Sequence, residues 1–424
     1  MLLVICAAMQ KFLYTLSIQV LRLSFLIAAP FHRKARQFVA GRKNIFTHLR
    51  SAMADRGNEK LVWVHCASLG EFEQGRPLIE SLRETFPAIK ILLTFFSPSG
   101  YEIRKDYALA DYVFYLPWDT PRNARRFVEL ARPSLAIFIK YEFWYHYTLC
   151  LKNSGATIIS ASCILRPDQA FFKSYGGVFR EILQNFNFIF TQDQESKNLL
   201  QSIGIRHSQV AGDTRFDRVM AIIEHQTEIV QAQQFKNGQK LFVIGSCWPE
   251  DMEALAPFIQ ENAQTLKFII APHEIHESFL ADIEKSVRVK SARFSQQHDN
   301  LEACAVLIID NIGMLSALYR YGEFAFVGGG FGKGLHNILE AACYGIPIFF
   351  GSKNYEKYKE ANDLIMRGGA FEVSGYAELK SKYELMIDRP ENFLLACEVT
   401  RSYVEENLGA TKKIIAYCTS ILAP

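Results

Sequence analysis

Residues 61–83 read LVWVHCASLGEFEQGRPLIESLR. The apolar run at 61–64 has the composition of a short buried strand, and Leu78, Ile79 and Leu82 recur behind it at helical spacing. Small residues and Gly70 separate the two, and the carboxylate of Glu71 stands at the head of the helix. The stretch is therefore a strand–turn–helix unit, and the same alternation continues outward from it. IKILLTFFS, YVFYLPW, SLAIFIKYE, ATIISAS and FNFIFTQD read as further buried strands with amphipathic segments between most of them. After the polar stretch 225–240 it restarts with KLFVIGS, LKFIIAP, AVLIID, FAFVGGG and IPIFFGS. Strand–helix repetition of this kind predicts α/β architecture with parallel sheets and right-handed crossovers. At 424 residues the chain is long enough for two such domains.

Composition narrows the class. The chain is 49% apolar and 21% charged, which describes a globular protein and excludes a disordered one. Its nine cysteines show no CxxC pair or zinc-like spacing, so reduced thiols are expected and a disulfide scaffold is not. A net charge of +3 does not call for nucleic acid, and none is expected as a partner. The first thirty residues stand apart, with Lys11 and Arg22 as their two formal charges and no acid. Eleven residues is about three helical turns, so both fall on one face, with Thr15 close to it. No uncharged span of about 18 residues occurs, and a signal peptide fits poorly because the basic cluster follows the apolar run. Two membrane readings stand: a short spanning anchor with snorkelling Lys and Arg, or a helix lying in the interface. A core helix of a soluble domain is the third. His32, Arg33, Lys34, Arg36, Arg42, Lys43, His48 and Arg50 follow, and in either membrane reading they face an anionic cytoplasmic leaflet.

Ligands of open α/β sheets bind at the carboxyl ends of the strands, so those ends are where chemistry is sought. After the first strand, Ser68 and Glu71 form the S-x-x-E pattern of a capping box, and Gly70 leaves room for close approach. Glu142 follows another buried strand among Tyr141, Phe143 and Trp144; it is either a solvated turn residue or half of an acid–base pair with Glu71. In AGDTRFDRV, Arg215 is a cation for a phosphate or carboxylate, or a member of a surface ion pair. Ser246 in GSCWPEDME and the glycine loop Gly328, Gly329, Gly330, Gly332 and Gly334 suit an anionic ligand at a helix N-terminus, with that helix starting near His336–Asn337. The loop lacks the GxxxxGK[ST] pattern. Glu340, one turn in, can accept from ribose hydroxyls or serve as ordinary first-turn charge. His273 and His276 form HExH, not HExxH, which is wrong for zinc, and no metal or other cofactor is expected.

VHCASLGE, KYEFW, AGDTRFD, GSCWPEDME, APHEIHE and GGFGKGLHNILEAACYGIPIFFG, in this order behind an apolar N-terminus, resemble the 3-deoxy-D-manno-octulosonic acid (Kdo) transferases of lipopolysaccharide biosynthesis. The resemblance implies a GT-B glycosyltransferase: two Rossmann-like domains facing a cleft, with an N-terminal membrane-associated helix. It implies transfer of Kdo from CMP-Kdo to a lipid A precursor (lipid IVA), with inversion and no active-site metal. Glu71 falls on the family's general base and Glu142 on its second acidic position, a transition-state stabiliser. Arg215 stands where the family has a lysine. The CMP contacts fall on Pro272, His273, Ile312, Gly313, Met314, Asn337, Ile338, Leu339 and Glu340, with Ser246 as an additional one. His273 replaces a usual arginine and Met314 a common glutamate.

The expected organisation is a membrane-associated segment at 1–35, an acceptor domain at 36–225 and a donor domain at 226–424, with the last helix a candidate to return to the first domain. The expected location is the cytoplasmic face of the inner membrane. Two alternatives stay open. One is another GT-B transferase of envelope synthesis using a UDP-sugar; the other is a non-catalytic nucleotide-binding module on the membrane, against which the presence of both Glu71 and Glu142 argues.

Overall fold

A computed structural model describes residues 2–224, 228–297 and 300–423, with side chains from residue 8 onward. The chain divides into two compact units, Met1–Arg218 with Leu408–Pro424, and Val219–Asn407. The expected boundary between residues 225 and 226 lies outside the described residues.

The first unit holds the strands β1 (Leu61–Cys66), β2 (Lys90–Phe95), β3 (Tyr112–Tyr115), β4 (Leu135–Ile139), β5 (Thr157–Cys163), β6 (Phe188–Thr191) and β7 (Ser208–Val210). They form one parallel sheet in the order β3-β2-β1-β4-β5-β6-β7. Chain order reverses between β1 and β4, so this pair is the topological switch point at which an open sheet leaves a crevice. Successive side chains point to opposite faces. Leu61 and Trp63 enter one core with Leu92 and Phe138, while Val62, Val64 and Cys66 enter the other with Leu93 and Ile137. The last helix, Ala410–Leu422, belongs to this second core through Ile414, Ile415, Cys418 and Leu422. Asp217 accepts from the Gly409 and Thr411 amides at 2.7 and 2.6 Å, a carboxylate at the positive end of that helix.

The N-terminal helix, Leu2–Ala28, is turned inside out relative to an ordinary surface helix. Its polar stripe faces protein: Lys11 pairs with Glu181 at 2.9 Å, Tyr14 donates to Asp119 at 2.6 Å, and Thr15 meets His146 at 3.0 Å. Beyond these polar contacts the protein-facing side turns apolar, with Ile18 and Phe25 packed against Phe38 and Trp118. Phe12, Leu13, Leu16, Val20, Leu23 and Ile27 are left exposed on the other side. Ala8–Ala28 is long and apolar enough to cross a membrane.

The second unit repeats the plan with β8 (Lys240–Cys247), β9 (Leu266–Pro272), β10 (Ser291–Arg293), β11 (Val306–Ile308), β12 (Phe324–Val327), β13 (Ile348–Gly351) and β14 (Ala370–Val373), ordered β10-β11-β9-β8-β12-β13-β14 and all parallel. Its switch point lies between β8 and β12. The expected parallel α/β architecture is what forms, twice.

Candidate active site

Glu71 sits where the first strand hands over to helix Leu69–Thr85, as the third helical residue after the N-cap Ser68. The capping box expected from S-x-x-E does not close. The Ser68 hydroxyl donates to the Glu71 carboxylate and accepts nothing from the helix amides. Gly70 needs no special conformation either. It is a helical residue whose added Cβ would lie 3.7 Å from Ser68 Oγ, an ordinary contact, so what it provides is open space beside Glu71.

Glu142 lies just beyond the carboxyl end of the central strand β4, after Lys140 in a left-handed conformation (φ 66°). It is not a solvated turn residue. Its side chain is 12% exposed, and Oε2 accepts from His65 Nε2 at 3.0 Å and Trp144 Nε1 at 2.7 Å. The following helix, Tyr145–Ser154, is capped from a distance. Asp119 accepts from the His146 and Tyr147 amides at 3.2 and 3.0 Å, and the Tyr14 hydroxyl from the Tyr145 amide at 3.2 Å. Burial pushes the Asp119 carboxyl up to about 6 even with these donors around it. The Cys66 thiol, fully buried at the end of β1, is held well above its usual range by burial first, then by the charges of Glu71, Glu142 and Glu73. Glu71 and Glu142 thus flank the ends of adjacent strands at the switch point.

Arg215, the second residue of helix Thr214–Glu224, is in an ion pair, but with a buried acid rather than a surface one. Its Nε and Nη2 reach Asp213 Oδ2 at 2.8 and 2.7 Å. Burial would raise the Asp213 carboxyl; Arg215 and its hydrogen bonds outweigh that and hold it below the ordinary range. Gln74 donates to Asp213 at 3.1 Å while its carbonyl accepts from the Thr214 hydroxyl at 2.6 Å, so the arginine's anchor is tied to the helix that carries Glu71.

In the second unit the expected donor contacts gather at the carboxyl ends of β8, β9, β11 and β12. Ser246 has φ 51° where the pairing of β8 with β9 slips, and Pro272 closes β9. The His273 ring stacks over both Trp248 and His336, at 4.5 and 4.3 Å between centroids, while those two rings lie nearly coplanar side by side. Trp248 Nε1 donates to His336 Nε2 at 2.9 Å. Burial, then the neighbouring His273, lowers the His336 imidazole to about 4, so it is neutral at physiological pH. Behind this stack the buried Asp251, pushed up to about 6 by burial, accepts from the Trp248 amide at 2.8 Å and the Gly329 amide at 3.0 Å. A Cβ on Gly328 would fall 2.2 Å from the Ser246 carbonyl, so only glycine lets these two loops touch.

Ile312 is 92% exposed, Gly313 is left-handed (φ 98°), and Met314 precedes a four-residue helix, Leu315–Leu318. Asn337 donates to Glu340 at 3.3 Å and accepts from the Leu339 amide at 3.3 Å, while Ser316 also donates to Glu340. Two expectations change here. The helix after the glycine loop spans only Leu339–Ala342, starting two residues late, so the loop and side chains rather than a long helix dipole shape the site. Ile338 and Leu339 put their side chains in the core, leaving only their backbone for a ligand. The HExH pair divides: His273 stacks inward while His276 is largely exposed beside Glu274. Among the described residues no group of three His, Cys, Asp or Glu could hold a metal.

His65, Trp144, Asp213, Trp248 and His336 were not anticipated. A histidine and a tryptophan inside an otherwise aliphatic strand, and aromatic residues within the motifs already quoted, were the available signals. In the first unit Arg22, Arg36, Lys43 and Arg126 also line a cavity of about 720 Å³ with Leu26 and Trp118, and no acid is among its lining residues.

A sequence model of the 3-deoxy-D-manno-octulosonic-acid transferase (kdotransferase) family matches residues 42–218. The 3-deoxy-D-manno-octulosonic acid transferase of Aquifex aeolicus (strain VF5) is 30% identical over 76% of this chain and 84% of the relative. Its counterpart in Rickettsia felis is 26% identical over 85% and 79%. Among solved structures, UDP-GlcNAc 2-epimerase from Neisseria meningitidis aligns with a TM-score of 0.60 at 16% identity, covering 85% of this chain and 100% of that one. A glycosyltransferase from Rickettsia africae ESF-5 gives 0.52 at 11% identity over 86% and 99%. These structural likenesses speak for the fold alone, which is of the GT-B kind.

Proposed function

The chain belongs to the 3-deoxy-D-manno-octulosonic acid (Kdo) transferase family of glycosyltransferases, and from that premise we propose that it moves Kdo from CMP-Kdo to a lipid A precursor, with inversion, at the cytoplasmic face of the inner membrane. The observation that carries the reading is the placing of Glu71 and Glu142 at the ends of β1 and β4, on either side of a switch point.

In this mechanism Glu71 takes the proton of an acceptor sugar hydroxyl as that oxygen bonds to the anomeric carbon of Kdo. The bond from that carbon to the phosphate oxygen breaks, its electron pair leaves with CMP, and a single displacement inverts the centre. Ser68 holds the Glu71 carboxylate, and Gly70 leaves the acceptor room beside it. Glu142 stabilises charge developing on the sugar. Arg215, locked by Asp213, offers its cation to the departing phosphate. On the donor side, Ser246, Pro272 and His273, the loop at Ile312, Gly313 and Met314, and Asn337 with Glu340 receive CMP-Kdo. Ile338 and Leu339 contribute backbone only.

The N-terminal helix supports the membrane reading. Fastened to folded protein from Lys11 to Phe25, it runs about 20 Å along the first unit and offers lipid its apolar side, as an interfacial helix does. The basic cavity beside its end suits the phosphates of an anionic lipid.

Purified protein incubated with CMP-Kdo and a tetraacylated lipid A precursor is expected to give a product heavier by whole Kdo units. UDP-sugars should give none. Glu71→Gln is expected to lose transfer by at least about 100-fold while still binding CMP; turnover at the parent's rate would remove Glu71 from the role of base.

A further inference from the structure

Behind Glu142 runs a line of side chains that the mechanism above does not use. Trp63 Nε1 donates to Thr94 Oγ1 at 2.7 Å. His65 Nδ1 lies 2.8 Å from the same Oγ1 and 3.1 Å from the Thr94 carbonyl, and its Nε2 is 3.0 Å from Glu142 Oε2. Trp63, His65 and Thr94 are all fully buried. An ionised Glu142 carboxylate can only accept, so the ring nitrogen that faces it, Nε2, carries a proton. Thr94 Oγ1, which accepts from Trp63, still has its own proton to offer Nδ1.

The ring has no freedom to turn. β1 is in register with β2 at His65 and Thr94 and with β4 at His65 and Phe138, and the Phe138 ring meets the imidazole edge-on at 5.8 Å. Every other position of this strand, Leu61, Val62, Trp63, Val64 and Cys66, is filled by an apolar side chain, so packing alone does not ask for a histidine. The N–H groups of His65 and Trp144 converge on one carboxylate oxygen, leaving Oε1 for other company.

We propose that His65 is a positioning residue: from within the sheet it fixes the rotamer of Glu142 so that Oε1 meets the transferring sugar. This rests on the stabilising role given to Glu142 above. A carboxylate freed to rotate is misplaced by an ångström or more, which costs about 100-fold in rate.

The test compares His65→Leu, which keeps the volume and loses both nitrogens, with His65→Gln, whose amide N–H reaches about as far as Nε2. His65→Leu is expected to lower kcat by about 10- to 100-fold with the KM for CMP-Kdo changed less than about threefold, and His65→Gln to recover most of the loss. In a Glu142→Gln background, His65→Leu should add little. Parent-like kcat in His65→Leu, equal losses in the Leu and Gln variants, or losses that multiply in the double variant would each overturn the proposal. Long-range ¹H–¹⁵N spectra of the parent labelled at histidine provide a readout that does not depend on variants folding: a proton on Nε2 is expected, and one on Nδ1 alone overturns the assignment. If the parent itself does not transfer Kdo, the functional reading falls and this proposal with it. If the parent is active and His65→Leu is indifferent, only the proposal falls.

Discussion

Asp119 shows at the scale of one residue what the first unit tolerates for its architecture. Its carboxyl, at about 6 in the fold, lies above the value near 3.9 of an unfolded aspartate. The folded state therefore binds the extra proton. The stability this supplies is complete below about pH 4 and is lost as pH rises through about 6. Asp119→Asn removes the titration, so relative to the parent the variant should gain about 2–3 kcal/mol between pH 4 and 7, read from urea unfolding across that range. A difference that does not vary with pH would contradict the assignment. Legibility at this scale followed the chain. Glu71 and Glu142 stood out because each is the acid that follows a strand, whereas the partners of His65 come from 29 and 77 residues away. No spacing rule brings those together; strand register does. Ser68 illustrates the opposite failure, a local motif overridden because its hydroxyl found the carboxylate before the amide.

At the scale of elements, the strands missed in the sequence were β7, β10 and β14, all at sheet edges and three or four residues long. An edge strand is covered on fewer sides and needs no apolar run, so SQV and SAR carry no periodic signal. The strands at both switch points were legible because burial on both faces demands unbroken apolar runs. Their order within the sheet was not, since alternation is the same for every doubly wound arrangement. The N-terminal helix was readable as apolar with one polar stripe, but which side met the protein was decided by the acids and amides of the first unit. Leu16→Glu with Val20→Glu places two charges on its outward side. Co-sedimentation with anionic lipid vesicles should drop by at least about tenfold, while Tm stays within about 2 °C because neither side chain is packed. A large fall in Tm would mean that this side is covered by protein.

For the whole molecule, one unit is continuous in sequence and the other is not. Removing residues 408–424 strips Ile414, Cys418 and Leu422 from the second core of the first unit, and leaves Asp217 and Lys60 without the backbone groups they hold. Calorimetry should show the transition of the first unit lowered or lost and that of the second unchanged; two equally shifted transitions would contradict the division into separate cores. The meeting of Tyr14, Asp119 and the Tyr145 amide has its own practical corollary. Trimming the protein at residue 28 to dispense with detergent would also pull a stopper from the helix whose preceding turn carries Glu142. A sluggish trimmed enzyme would then report a slack loop, and adding lipid back would not cure it.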